Sequence, residues 1–592
     1  MRVPRVFCKL GSFWQAASGV TARFSKWCLK TVANPWVELN IVAFQGLMAS
    51  WAVECSERIP GVRVLQACGV RGCPGRETVG QFLRAGPPVP VFGIQDGTGS
   101  VMYTLITGAT GLVGRYLLRD LLLNGHQLAV VVRGSRRNDA RDRIEQVLQY
   151  WEKEHQRTFP RPVVLNGDIS KPGFGLCDQD RDWLRKHCSS IIHSAAILEF
   201  FGKDRAGEPW RTNLDGTRHM LQLCRELGIR DIHYVSTAYV AGLQSGRVLE
   251  GSLEAGQTFR NDYEESKFEA EKLVRAADFA EHITVYRPAV IVGDSRTGYT
   301  NTYHGLFVYL RLMAMLIPSL PLGEDGRRKT PIRVRFTGRE PRNLIPVDWV
   351  SAVMCRLFET PEARGLTYHL APDNPITSRQ VIDLCSEYFN STGVVYEGDE
   401  GAETDDANLS EDQKMFERLF QDNAETYAAY ESTDNCFDMT NTKRFAGDIL
   451  CPDLDRTVIH RFIDYGNEDR WGKRKPDVQA VTCWLLELLR SRVSADGAET
   501  ASLGLNLTGP GGCQATVRLS GGGVVSVERG LPADSSPVLT VGAADLLSVL
   551  SGARPAAFLS GSWDCGESGQ DELTEQLVTA LSGVGDGQAI SV

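Results

Sequence analysis

The feature that most constrains this chain is one run, MYTLITGATGLVGRYLLRDLLLNGHQLAVVVRG, at residues 102–134. Its opening apolar residues read as a short buried strand and TGATGLVG as a glycine turn. The leucines that follow recur at the helical period, and LAVVV reads as a second strand. Two strands joined by a helical crossover pair in parallel, and a parallel sheet needs helices on both faces. The alternation continues through PVVLNGD (162–168), SSIIHSAA (189–196), DIHYVSTAYV (231–240) and HITVYRPAVIVGD (282–294), with helical stretches between them. The spacing therefore predicts an α/β fold built on a doubly wound parallel sheet.

A chain of 592 residues is too long for one core, so further units are expected around that sheet. Residues 1–101 form an atypical extension. They carry eleven Lys plus Arg against five Asp plus Glu, while the whole chain has a net charge of −9, and they hold five of the 15 cysteines. Met102 stands just before the first strand, so this extension is expected to lie outside the catalytic fold. The acidic balance argues against a nucleic-acid partner. The apolar run from Ile41 to Val53 is broken by Gln45 and is too short to span a bilayer, and no secretory segment precedes the sheet. A cytoplasmic protein with reduced thiols is the resulting expectation. Residues 397–432 are acidic and rich in Gly, Asp and Asn, and read as an exposed excursion with little to give a core.

Gly108, Gly111 and Gly114 stand three apart between a strand and a helix. Missing side chains there permit a tight turn and bring backbone N–H groups at a helix start close to a pyrophosphate. This context predicts a dinucleotide site in a Rossmann-type sheet. After the second strand, where an acidic residue would bind the ribose hydroxyls of NAD, the sequence has Arg133, followed by Arg136 and Arg137. A guanidinium fork suits a 2′-phosphate, which favours NADPH over NADH. Asp168 closes one strand, and His193-Ser194-Ala195-Ala196 closes the next with small residues along the cofactor's path.

Tyr263 and Lys267, in YEESK, are i and i+4 and share one helix face. Thr237, in VSTAYV, ends a strand that overlooks the same cleft. The three make a proton-transfer set in which Lys267 lowers the phenol pKa, Tyr263 moves the proton and Thr237 holds the substrate oxygen. No HExxH or GxSxG pattern offers a rival, and no metal site is expected.

TGATGLVG, HSAA, NLDGT (213–217), STAYV and YEESK resemble an extended short-chain dehydrogenase/reductase over residues 102–470. RPAVIVGDSRTG (287–298), NLIPVDWV (343–350) and YHLAPDNPIT (368–377) are similar to its fatty acyl-CoA reductase and thioester reductase branch. The resemblance implies a smaller substrate subdomain beside the sheet. It implies catalysis by Thr237, Tyr263 and Lys267, with Gly108, Thr110, Gly111, Leu112, Gly114, Arg133, Asp168, Ala195, Asn213 and Pro288 at the cofactor together with Tyr263 and Lys267; Asn213 is alternatively structural. The implied reaction is NADPH-dependent reduction of an acyl thioester, on CoA or an acyl carrier protein, to aldehyde or alcohol. An epimerase, dehydratase or sterol dehydrogenase on the same scaffold, and a non-catalytic NADPH-binding protein, are the alternatives. LFVYLRLMAMLIPSLPL, from Leu306 to Leu322, offers an apolar wall for an acyl chain or an ordinary core helix.

Residues 476–592 read as a separate α+β domain, with a leading helix, short alternating strands and then LTVGAADLLSVLSG. This part resembles a sterol-carrier-protein type lipid-binding domain, which implies bound lipid and no catalytic residues. A small dimerisation domain is the other reading.

Overall fold

The computed structural model describes residues 102–398 apart from 137, 158 and 331, then 414, 417–421, 430 and 435–474, and beyond these 484–490, 493, 501–508, 513–520, 523–533, 536–550, 563–564 and 576–581. The extension 1–101, Arg137, and most of the acidic excursion lie outside the described residues. Seven strands form one parallel sheet: β1 (Tyr103–Thr107), β2 (Leu128–Val132), β3 (Val163–Asn166), β4 (Cys188–His193), β5 (Asp231–Val235), β6 (His282–Pro288) and β7 (Thr367–Leu370). Their order is β7-β6-β5-β4-β1-β2-β3. The order reverses beside β1, between β2 and β4, and the crevice at that switch point lies at the strand C-termini, where ligands of open α/β sheets bind.

β1 and β2 are buried on both faces, which is why they read as unbroken apolar runs rather than alternating ones. Helix α1 (Leu112–Leu123) returns between them with Tyr116, Leu117, Leu118, Leu121 and Leu122 buried. Helix α2 (Ala140–His155) follows β2 behind a capping box made by Asp139 and Asp142. Two apolar clusters sandwich the sheet, one around Tyr116, Trp151 and Val353 and the other around Leu105, Trp183 and Met220.

The stretch 282–294 reads as one strand, but the chain divides it. β6 ends at Pro288, and Val290–Val292 leaves the main sheet to pair in parallel with Leu344–Pro346. The Ala289 N–H still bonds Leu370 O, whereas the Val290 N–H bonds Asn343 O. Proline has no N–H to extend the ladder, so the strand turns away at this point. The second subdomain then gathers around helices α6 (Leu306–Leu316), α7 (Ser378–Tyr388) and α8 (Arg456–Glu468), with a third apolar cluster of its own.

The C-terminal region forms a mixed five-stranded sheet, with β8 (Ala501–Thr508), β9 (Gln514–Ser520), β10 (Gly523–Arg529), β11 (Val538–Gly542) and β12 (Trp563–Asp564) in the order β10-β9-β8-β11-β12. Helix α9 (Ala543–Leu550) follows β11, and the interior is apolar and distinct from the other clusters. Arg141, on α2, forms an ion pair with Asp545 of α9. Cys513 is disulfide-bonded, against the expectation of uniformly reduced thiols. Among the described residues, no helix is long and apolar enough to cross a membrane, and no group of His, Cys, Asp and Glu has a metal-holding arrangement.

Candidate active site

The glycine turn is built by contact as much as by conformation. Gly108 takes φ +79°, and a Cβ there would stand 2.7 Å from the Ala195 nitrogen. A Cβ on Gly114 would lie 2.1 Å from the Gly108 carbonyl oxygen, so the helix can approach the turn only as glycine. Gly111 is different: its Cβ would meet only Gly108 O, at 3.3 Å, and its open side faces a cavity of about 650 Å³. That is the cradle a pyrophosphate needs at the N-terminus of α1.

The same cavity is walled by Thr237, Tyr263, Lys267 and Pro288, and farther on by Leu306, Phe307, Leu310 and Met313 of α6. α6 is thus both the core helix and the apolar wall, since Leu310 and Met313 are buried in the second subdomain's cluster while lining the cleft. Helix α5 (Asp262–Arg275) carries Tyr263 and Lys267. Asn261 caps it by accepting from the Glu264 N–H at 3.0 Å, and Asp262, Glu264 and Glu265 occupy its first turn, where the helix dipole favours them. Thr237 stands just past β5, donating to Pro288 O at 3.4 Å and hydrogen-bonded with Tyr263.

The expected action of Lys267 on the phenol differs in this geometry. Burial pushes Tyr263 up to about 12, Glu264 adds to the rise, and the bond from Thr237 only partly opposes it. Lys267 is instead aimed at β5, donating to Val235 O at 2.8 Å and to the Tyr234 hydroxyl at 3.0 Å. Burial lowers its own pKa to about 7, against the pull of Glu271. Desolvation, which a sequence does not display, dominates both groups.

The other cofactor candidates fall into two groups. Gly108, Gly111, Leu112 and Gly114 line the cavity. Thr110, Arg133, Asp168, Ala195 and Asn213 stand outside its wall. Ala195 donates its N–H to Thr107 Oγ1 at 3.3 Å. Asn213 holds the loop after β4 to α5, accepting from the Ile197 N–H at 2.9 Å and donating to Ser266 Oγ at 3.1 Å. Arg133 has a 70% exposed side chain, 3.6 Å from Asp168. Burial raises Asp168, but bonds from Ser170 and the charge of Arg133 bring it below the usual carboxylate value.

Sequence reasoning passed over Arg143. It donates to Thr110 Oγ1 at 3.0 Å and to Arg133 O, and its pKa is lowered by burial, then by Arg133 and Arg115. Three guanidinium groups that oppose one another beside the glycine turn form a setting for a polyanion. The available signal was the arginine in the first turn of the helix after VVVRG. Also passed over was the excursion, which delivers Phe420, Gln421 and Tyr430 to the cavity wall rather than only exposed loop. Tyr430 accepts from Asn261 Nδ2 at 2.7 Å and packs its ring 5.6 Å from that of Phe200.

Residues 106–354 match the NAD-binding family described as male sterility protein. The crystal structure of the terminal R domain from the myxalamid PKS-NRPS biosynthetic pathway is 25% identical, with a TM-score of 0.50, over 64% of this chain and 93% of that one. The chain contains an NAD(P)-binding domain. Among curated relatives, the chain is 26% identical over 412 residues to aldehyde reductase lnaA of Aspergillus flavus, covering 64% of this chain and 37% of that protein. It is 24% identical over 387 residues to the non-canonical nonribosomal peptide synthetase hkm10 of Aspergillus hancockii, covering 61% of this chain and 36% of that protein. The chain thus spans well under half the length of these curated relatives.

Proposed function

We propose that this reductase uses NADPH to reduce an acyl thioester, carried on CoA or on an acyl carrier protein, to the aldehyde or alcohol. The single observation that carries the reading is the continuity of one cavity from the glycine turn, past Thr237, Tyr263 and Lys267, to the apolar side chains of α6. The residues fit the cofactor: Gly111 leaves the pyrophosphate cradle open, and Arg133, Arg143 and Arg115 offer positive charge for the 2′-phosphate. When bound, NADPH supplies the hydride that adds to the thioester carbonyl carbon.

The chain's own part is to orient and protonate. Thr237 donates to the carbonyl oxygen, and Tyr263, kept protonated by burial across the neutral range, gives its proton to that oxygen as negative charge develops there. The hemithioacetal then loses its thiol, the carbon–sulfur bond breaking as the carbonyl re-forms and a proton passing to sulfur. A second hydride and proton convert aldehyde to alcohol. The apolar wall of α6 excludes water and takes the acyl chain, with about 0.8 kcal/mol for each methylene buried.

Residues 476–592 form, in this reading, a lipid-binding domain that supplies or retains hydrophobic material. Its support is the wholly apolar cluster between the five-stranded sheet and α9. The deciding experiment incubates the full chain with NADPH and a panel of acyl-CoAs, following cofactor absorbance and free thiol together. Thiol release coupled to NADPH loss is expected, one NADPH per thiol where the product is the aldehyde and two per thiol where it is the alcohol. NADPH oxidation with ketones or aldehydes but no thiol release from any acyl-CoA would replace this reading with that of a carbonyl reductase.

A further inference from the structure

Lys267 is 2% exposed, and an ammonium that deep needs acceptors for its N–H groups. Two are fixed by β5, the Val235 carbonyl at 2.8 Å and the Tyr234 hydroxyl at 3.0 Å, and the side chain still forms part of the cavity wall. The Tyr234 ring has no freedom to leave. It is fully buried, its face is stacked on the His193 imidazole at 6.0 Å with 13° between planes, and His193 Nδ1 is bonded to Thr107 Oγ1 at 2.9 Å. The Tyr234 hydroxyl also bonds Thr217, whose own hydroxyl donates to Asn213 O at 2.6 Å.

We propose that Tyr234 is a positioning residue for Lys267, holding two of the three ammonium N–H directions together with Val235 so that the third is aimed into the cleft. Its consequence for turnover rests on the thioester reductase reading; its effect on Lys267 does not. The groups facing the ammonium are Tyr263 and Glu271 on its own helix, His193 on β4 and Tyr234 on β5, with Arg287 of β6 behind Glu271. His193 is held neutral, pushed down to about 3 by burial and then by Lys267, so it contributes no charge near neutrality. Tyr234 is raised by burial and serves as a neutral acceptor throughout the working range.

The test is Tyr234→Phe in the full chain, which keeps the ring and its stacking and removes one acceptor from the ammonium. Lysine labelled at Cε reports the Lys267 titration by NMR, with the resonance assigned by its loss in Lys267→Met. Losing a hydrogen bond to a charged group should move the midpoint down by about one pH unit. The alkaline limb of kcat/KM for NADPH oxidation should move with it, because the charged ammonium is lost at lower pH. Tyr286→Phe is the comparison: it removes an equally buried phenol bonded to His233 at 2.9 Å, and both profiles should stay in place. An unmoved Lys267 midpoint in Tyr234→Phe overturns the proposal, as does a midpoint that moves while the rate limb does not. A wild-type chain that oxidises no NADPH with any acyl-CoA overturns the proposed function, and the NMR midpoint still decides the role of Tyr234.

Discussion

The parallel-sheet region and the C-terminal region bury their interiors in opposite ways. On α5, Glu271 accepts from Arg287 at 2.7 Å, from Arg275 at 2.8 Å and from Ser236 Oγ at 2.6 Å, with Glu271, Arg287 and Ser236 buried and Arg275 partly exposed. Arg287 also reaches Ser252 O at 2.8 Å, and the neighbouring Glu250 accepts from the His369 and Asn441 N–H groups. In the C-terminal region the cluster is made of leucine, valine and alanine, and among the described residues there Thr516 alone is a buried polar side chain, donating to Gly530 O. A buried ionic lattice tolerates little displacement and ties α5, which carries Lys267, to β6 and to Ser236, the neighbour of Thr237. An apolar interior tolerates substitution of like volume. Precision is therefore concentrated in the region that carries Thr237, Tyr263 and Lys267.

The largest effect expected on this contrast comes from Glu271→Gln, which leaves Arg287 charged and without its carboxylate. It should cost about 3–5 kcal/mol of stability, measured by urea unfolding followed in the reductase region. A loss below about 1 kcal/mol would remove the distinction between the two interiors. Next is Tyr263→Phe, which keeps the ring and takes away the acid; turnover should fall by about 10² or more with NADPH affinity retained. Third, Arg143→Ala should weaken NADPH by about 1.5–3 kcal/mol and leave NADH nearly unchanged. Arg133→Ala should do the same to a smaller extent, because its side chain is mostly in water. Calorimetry with both cofactors checks these, and equal losses for NADPH and NADH would make the arginines structural. The smallest effect is expected from Thr540→Ala in the C-terminal sheet, whose exposed bond with Asn506 at 3.3 Å should contribute within about 0.5 kcal/mol.

The same contrast explains what could be read in advance. Six of the seven strands and the glycine turn were legible because buried parallel strands are written as apolar runs and because Gly108 and Gly114 have no tolerable Cβ, whereas the four-residue β7 was not singled out. The pairing of Tyr263 with Lys267 was legible from helical spacing alone. The direction of the Lys267 ammonium was not, since it depends on where β5 presents the Tyr234 hydroxyl and Val235 carbonyl, 33 and 32 positions away in sequence. The division of the sixth strand at Pro288 could have been argued from the missing N–H, but its new partner, Leu344–Pro346, is set by tertiary contact. Arg143 carries no motif of its own, and only the fold brings it to Thr110. The acidic excursion was judged by its composition, which conceals the aromatic residues it carries inward.

Tyr430 gives that excursion a consequence for engineering. Its hydroxyl accepts from Asn261, which caps α5, its carbonyl accepts from Arg342, and its ring lies against Phe200 and Tyr239. With Phe420 and Gln421 it contributes part of the cleft's surface. A loop graft between related reductases that spans residues 414–430 would therefore transfer two traits together, the shape offered to the acyl group and the seating of the first turn of the helix bearing Tyr263. Grafts that retain Tyr430 and exchange only the residues before it would separate the two, allowing chain-length preference to be recombined without resetting the acid.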